Sequence, residues 1–280
     1  MAAGTSGHSP GYVAGIGSAA WQSLARLVRS PSHSRRAEAR RALARRWLGL
    51  SVLTAIAIGL LMIAVDVAAI KLMPPRGTAS LWPLRIFTDF GKSTYVMWAL
   101  AGLLLLILLL MPRVTGLSRQ VWIAFGIRVQ YIFLSVVVAV LSAEVLKYII
   151  GRSRPFVGGE ANAFNFQHFA GNPAFESLPS GHATTAFALA FAVSAVWRKA
   201  TPVMLLYAVL ICVSRVILLA HHPSDVVGGA LTGVIGAMFV RYWFAARRLG
   251  FSIGRDGSIE PLAGPSAASL KRVAREALAP

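Results

Sequence analysis

Residues 176–197 read ESLPSGHATTAFALAFAVSAVW. The run behind His182 is apolar enough to sit in lipid, yet Pro179, Ser180, Gly181 and His182 stand together at its mouth. Ionisable groups at membrane depth are costly and tend to mark function. Ser180 is placed to cap a helix that starts at Gly181, and the first turn of such a helix exposes unpaired N–H groups. The stretch therefore reads as a spanning helix with a polar start. An ordinary capped helix with an interfacial histidine fits the same residues.

Runs of this kind recur. The chain has 280 residues, of which 56% are hydrophobic and 14% charged, with a mean hydropathy of +0.64. Soluble domains are more polar and carry nearer a quarter charged residues. Six apolar stretches, 48–70, 95–111, 121–150, 181–197, 202–220 and 226–246, are each read as crossing a bilayer. The expected fold is all-α, an integral membrane six-helix bundle. Ahead of it, SRRAEARRALARRW (34–47) reads as a basic helix lying along the membrane surface. The first apolar run starts too late, and is too long, for a cleaved signal peptide. From Gly250 the sequence reads as a loose tail in which AASLKRVAREAL can form a short helix. This gives a basic arm at 1–47, the bundle at 48–246 and a tail at 247–280, with no internal repeat.

The net charge of +18 raises the question of nucleic acid. Its placement answers against that. Eight arginines and one acid, Glu38, occupy residues 1–47, and a second basic cluster follows Arg241. Charges flanking apolar spans set topology and bind anionic lipid, so the expected partners are membrane lipids, not nucleic acid. The N-terminal block, Arg113, Arg119, Arg128, Arg198, Lys199, Arg241, Arg247 and Arg248 fall to one side, expected to be cytoplasmic, as are both termini. Cys212 is the only cysteine, which excludes an intrachain disulfide and a Cys-based metal site.

With this topology the unusual polar residues at the span ends share the opposite side. KYIIGRSRP (147–155) sets Lys147 and Arg154 seven residues apart, two turns if helical, with Gly151 and Pro155 ending the helix. Taken alone, both cations also suit snorkelling to the interface. In the second segment, Gly181 lets an anion approach backbone donors at a helix N-terminus, and His182 can carry a proton near neutral pH. In SRVILLAHHPSD (214–225), Arg215 precedes His221 by six residues and Asp225 follows it by four. A carboxylate on one imidazole nitrogen fixes the tautomer and frees the other nitrogen to attack. A polar turn between two spans fits this last segment equally. Together the three segments converge cations, helix-start donors, two histidines and an aspartate on one face, an inventory suited to a phosphoryl group.

Lys147-x6-Arg154-Pro155, Pro179-Ser180-Gly181-His182 and Ser214-Arg215-x5-His221-x3-Asp225 resemble the three-part signature of the type 2 phosphatidic acid phosphatases. That superfamily, PAP2, includes lipid phosphate phosphatases, undecaprenyl-pyrophosphate phosphatases, glucose-6-phosphatase and the vanadium haloperoxidases. The resemblance implies a six-helix fold and a metal-independent lipid phosphatase without cofactor, its site on the outer face of a bacterial inner membrane. It implies His221 as nucleophile, Asp225 holding it, and His182 as acid and then base. Lys147, Arg154, Arg215, Ser180 and the Gly181 amide would hold the phosphoryl oxygens. The substrate it implies is a lipid phosphate or diphosphate, with undecaprenyl diphosphate foremost. Lipid A 1-phosphate, phosphatidylglycerophosphate and phosphatidic acid stand as alternatives. A haloperoxidase, and a non-enzymatic lipid-binding or transport protein on the same scaffold, are the competing classes.

Other residues carry weaker signals. His222 reads as a neighbour of His221, and Glu144 as a partner for Lys147 one turn away. Asp66 and TDFGKS (88–93) read as shaping the substrate mouth. His168 lies in a loop with Phe156, Phe164, Phe166, Phe169 and Phe175, which either dips into the outer leaflet beside a lipid access path or packs on the helix ends. The acids Asp66, Asp89, Glu144, Glu160 and Glu176 show no metal-ligand spacing.

Overall fold

A computed structural model describes residues 11–278, so the first ten residues of the basic arm and the last two of the tail lie outside it. The helices are α1 (Tyr12–Val28), α2 (Arg36–Ala64), α3 (Asp66–Leu72), α4 (Trp82–Asp89), α5 (Ser93–Leu110) and α6 (Gly116–Ile150). They continue with α7 (Gly181–Val196), α8 (Thr201–Ile217), α9 (Pro223–Ala246) and α10 (Ala267–Leu278). A two-stranded hairpin, β1 (Phe251–Ile253) with β2 (Ile259–Pro261), precedes α10.

The fold is an all-α membrane bundle. Among the described residues five helical stretches, Arg36–Ala64, Ala79–Arg113, Gly116–Ile150, Arg198–Ile217 and Pro223–Ala246, are long and apolar enough to cross a membrane. The sixth expected span, α7, is apolar but has only 16 residues, a rise of about 24 Å. It can be short because it is packed between helices instead of facing lipid. Ala183, Ala186, Ala188, Ala190 and Ala192 are all buried. Facing outward, Leu53, Leu60, Ile63, Trp98, Leu141, Val203 and Leu206 stay exposed, as a lipid-facing surface requires.

Small residues set the centre of the bundle. A Cβ on Gly233 would lie 2.4 Å from the Thr184 carbonyl oxygen, and one on Gly236 would lie 2.8 Å from Ala139 Cα. Helix α9 therefore closes on α7 and α6 almost backbone to backbone, where lipid gives little hydrophobic drive and close van der Waals packing must hold the helices. Gly229 does the same at the site, its hypothetical Cβ falling 2.5 Å from the Ser180 carbonyl oxygen.

Three expectations change. The basic stretch 34–47 is not a separate surface helix. It is the first part of α2, which runs unbroken through the expected 47/48 boundary, and Ala39 and Leu43 within it are buried. The expected span 48–70 breaks at Val65, where φ (−121°) leaves the helical value while ψ (−42°) keeps it, and α3 begins at the buried Asp66. The tail is not loose. Phe251 and Phe244 meet Tyr131 edge-on at centroid distances of 4.8 and 5.5 Å. Arg128, buried, donates to the Leu262 and Ala263 carbonyls at 2.8 and 3.1 Å, and Val273 and Ala277 of α10 are fully buried. Gly, Pro and Ser in this stretch suggest a flexible coil. The few apolar residues among them suffice to dock it, each worth about 1.5–3 kcal/mol when fully buried.

Candidate active site

The three signature segments meet at one end of the bundle. Helix α6 ends at Gly151, whose left-handed conformation (φ +60°) and a hypothetical Cβ only 1.8 Å from the Gln167 carbonyl oxygen admit no side chain. The chain then runs back along the 163–177 loop. Gln167 N–H donates to the Gly151 carbonyl (2.7 Å), Ser177 N–H to the Arg152 carbonyl (3.0 Å) and Arg154 N–H to the Ala174 carbonyl (2.8 Å). Ser180 N–H donates to the Asp225 carbonyl at 2.9 Å, tying the start of α7 to the start of α9.

Lys147 reaches α7: a Cβ on Gly181 would lie 3.2 Å from its Nζ. The same ammonium pairs with Glu144 at 2.7 Å, as its spacing suggests. Arg154 donates to the Pro173 carbonyl at 2.9 Å, and Arg215 to Thr88 Oγ1 at 3.1 Å. Ser180 does not cap α7 through its side chain. Its Oγ is buried without a hydrogen-bond partner, and so are Nε2 of His182 and Nε of Arg215. Buried polar atoms left unpartnered are rare in proteins and call for a ligand or water.

His221 is held differently from the expectation. Its Nδ1 lies 2.9 Å from the Ser177 carbonyl oxygen and 3.9 Å from Asp225 Oδ2, so the backbone carbonyl is the nearer partner. Ser177 Oγ in turn donates to Asp225 Oδ2 at 2.6 Å. Asp225 also closes a capping box at the start of α9, accepting from His222 N–H at 2.8 Å, with His222 Nδ1 3.2 Å away. His222 is thus the buried helix cap. His221 lies between α8 and α9, where burial holds its imidazole well below the ordinary histidine value. Arg154 and Arg215 push the same way, and Asp225 opposes them.

Sequence reasoning missed Arg152, Ser177, Ser224 and Arg76. Arg152 is fully buried between two carboxylates, with Nη1 2.6 Å from Asp225 Oδ1 and Nη2 2.7 Å from Asp66 Oδ2. It also donates to Ser224 Oγ (2.6 Å) and the Ala163 carbonyl. Asp66 accepts from the Ser224 N–H at 3.0 Å and from its hydroxyl. Asp66 therefore does not shape a substrate mouth; it is sealed behind Asp225. The available signal was an aspartate inside an apolar run, which demands a buried cation. Arg76 donates to the Leu219 carbonyl at 2.7 Å and the Pro155 carbonyl at 2.8 Å, joining the first and third segments from outside.

Beside Arg215 opens a cleft of about 250 Å³ lined by Arg76, Arg85, Leu81, Leu218 and Ala220. None of the TDFGKS residues lines this cleft; Thr88 is buried against Ser214 Oγ at 2.9 Å and Asp89 is paired to Lys92 at 2.8 Å. His168 stays outside, on the loop surface, 3.1 Å from the Ile149 carbonyl oxygen. Phe164 and Phe169 on that loop are 58% and 59% exposed. Among the described residues no group of three or more His, Cys, Asp or Glu side chains is arranged to hold a metal ion.

Residues 128–249 match the family model of the PAP2 superfamily, which contains most of the signature geometry. A lipid A 1-phosphatase of Rhizobium johnstonii is 36% identical over 127 residues, 45% of this chain and 52% of the relative. A second lipid A 1-phosphatase, from Rhizobium etli, is 35% identical over 45% of this chain and 55% of its own. The provisionally named undecaprenyl-diphosphatase YbjG of Escherichia coli is 33% identical over 109 residues, 38% of this chain and 52% of the relative. The alignments thus span about half the length of these relatives. No solved structure matches. The three signature segments meet at one end of an all-α membrane bundle, and the stretch of that bundle from within α6 to just past α9 is similar to the PAP2 superfamily.

Proposed function

We propose that the chain is a membrane phosphatase that removes a phosphate from a lipid phosphate or diphosphate through a phosphohistidine, without a metal ion. The observation that carries this reading is that Ser180 Oγ, His182 Nε2 and Arg215 Nε, on the signature segments, are buried without a hydrogen-bond partner, while burial, with Arg215 and His182 among the nearby groups, holds the His221 imidazole well below its ordinary value. With the His221 Nδ1 proton on the Ser177 carbonyl, the Nε2 lone pair is the one free to attack phosphorus. As the N–P bond forms, the P–O bond to the lipid breaks, and His182 gives its proton to the leaving oxygen. Water then attacks the phosphohistidine, losing its proton to His182, and inorganic phosphate leaves. Lys147, Arg154, Arg215, Ser180 and the Gly181 amide hold the phosphoryl oxygens, where preorganised charge is worth most.

The reaction takes place at the outer face of the inner membrane, with both termini cytoplasmic; the arginine-rich flanks at the other end of the bundle support this orientation. Two substrates are carried. Undecaprenyl diphosphate is the one that the family resemblance puts foremost. The names of the rhizobial relatives favour the lipid A 1-phosphate. Purified protein assayed for phosphate release against both lipids, phosphatidylglycerophosphate and phosphatidic acid is the test. Wild type should hydrolyse at least one and yield an acid-labile phosphoprotein on rapid quenching. His221→Ala should abolish both signals, and full phosphate release by His221→Ala and His182→Ala would sink the assignment.

A further inference from the structure

At the end of the bundle opposite the histidines, a second cavity of about 280 Å³ opens between α1, α5 and α6. It has room for roughly nine water-sized groups. Its walls are apolar, with Leu104 and Ile107 on one side and Ile123 and Ile127 on the other, and Arg26 and Arg119 line it with no carboxylate among the lining residues. Helix α1 forms the outer wall, fixed by the Tyr12 hydroxyl on the Leu109 carbonyl at 2.6 Å and by Gly15 lying against Pro112. Along α6 the lining positions 119–130 precede Lys147 by 17 to 28 residues, roughly 25–42 Å of helix. The cavity is therefore no part of the phosphatase site.

Two cations facing one cavity repel each other unless an anion joins them. Burial, Arg29 and Arg119 together depress the Arg26 guanidinium from its ordinary value. Neither Arg26 nor Arg119 has a carboxylate within ion-pair distance among the described residues. Glu276 on α10, next to this end of α6, is engaged by the Ser118 hydroxyl. A phosphate on a hydrocarbon tail matches both halves of the cavity: charge for the arginines and chain for the isoleucine and leucine walls. Basic pockets between spanning helices take anionic headgroups for this reason.

We propose that this cavity is a binding site for an anionic phospholipid, its phosphate clamped by Arg26 and Arg119 and its acyl chain lying between α5 and α6. Bound there, the lipid ties α1 to the bundle.

The full chain in detergent, given phosphatidylglycerol, phosphatidylcholine or inorganic phosphate, provides the test by native mass spectrometry and thermal unfolding. Wild type should retain phosphatidylglycerol and melt higher with it, but respond to neither phosphatidylcholine nor phosphate. Arg26→Gln/Arg119→Gln should weaken that retention roughly thirty-fold, two surface cations being removed. Arg113→Gln, at the same end but outside the cavity, should bind as wild type does. Equal loss in Arg113→Gln would reduce the effect to general surface charge, and retention by the double variant would overturn the site. An equal response to inorganic phosphate would remove the role of the apolar walls.

Discussion

Replacing Arg152 by methionine should cost more than any other single change behind the site. The guanidinium is fully buried and contacts carboxylates on two elements, Asp66 at 2.7 Å and Asp225 at 2.6 Å. Taken as ion pairs, two carboxylates and one guanidinium give the cluster a net charge of −1; Arg152→Met would leave two uncompensated carboxylates in a fully buried space. Removing one partner from a buried pair costs about 3–5 kcal/mol. For a chain of this size that corresponds to a fall in melting temperature of roughly 6–20 °C. Activity should fall as well, because among the described residues Oδ1 of Asp225 has no hydrogen-bond partner besides Arg152, and displacing a positioned group by an ångström costs on the order of a hundredfold. Adding Asp66→Asn returns the cluster to −1. The double variant should therefore be more stable than Arg152→Met alone by about 1–3 kcal/mol. Thermal unfolding in detergent and phosphate release in the same preparations measure both effects. Arg152→Met melting with wild type and releasing phosphate within threefold of its rate would refute this account of the cluster.

Two further outcomes follow from the His221 environment. Its pKa is depressed, so the neutral, nucleophilic form persists to acid pH; the acid limb of kcat/KM assigned to His221 should fall below about 6.5, its unperturbed value. An acid limb above 7 in the wild-type profile would contradict that environment. Ser177→Ala removes the 2.6 Å bond to Asp225 but keeps the backbone carbonyl on His221 Nδ1. It should lower kcat by about 10- to 100-fold, the worth of one hydrogen bond to a charged group, while KM stays near wild type. Loss of all activity would mean that the carbonyl alone does not hold the ring.

What could be read from the chain and what could not divide along a physical line. Apolar runs and short-range spacing announced the spans, and α5, α6, α7, α8 and α9 begin and end within a few residues of expectation. The signature histidines and cations were legible because their spacing along the chain is itself the pattern. Contacts made across the fold were not. Ser177 lies only three residues before Ser180, yet one of its contacts uses its carbonyl, which every residue has, and the other joins its hydroxyl to Asp225, 48 residues away. Spacing singles out Arg154, but nothing in the sequence pairs its neighbour Arg152 with Asp66, 86 residues away. The tail was misjudged because composition reports average polarity, whereas Phe251, Ile253 and Val273 needed only a surface to dock on.

The difference between those two arginines suggests how the bundle keeps its cations ready for an anion. Arg152 has two carboxylates, so its charge is spent inside the cluster and none is left for a substrate. Arg154, Arg215 and Arg76 are held instead by neutral oxygens: the Pro173 carbonyl, the Thr88 hydroxyl, and the carbonyls of Pro155 and Leu219. A carbonyl dipole orients a guanidinium without cancelling its charge, so these three keep nearly all of their attraction for a phosphate in a medium of low dielectric. Lys147 is the exception, paired with Glu144, but that carboxylate is half exposed and screened by solvent on its outer side. Substituting a carboxylate at Thr88 would test this division. Thr88→Asp, at 3.1 Å from Arg215, should neutralise that cation and raise KM for a lipid phosphate, whereas Thr88→Asn, which keeps a neutral oxygen there, should leave KM close to wild type. If both variants raise KM equally, it is the shape of residue 88 that matters, and the argument from charge fails.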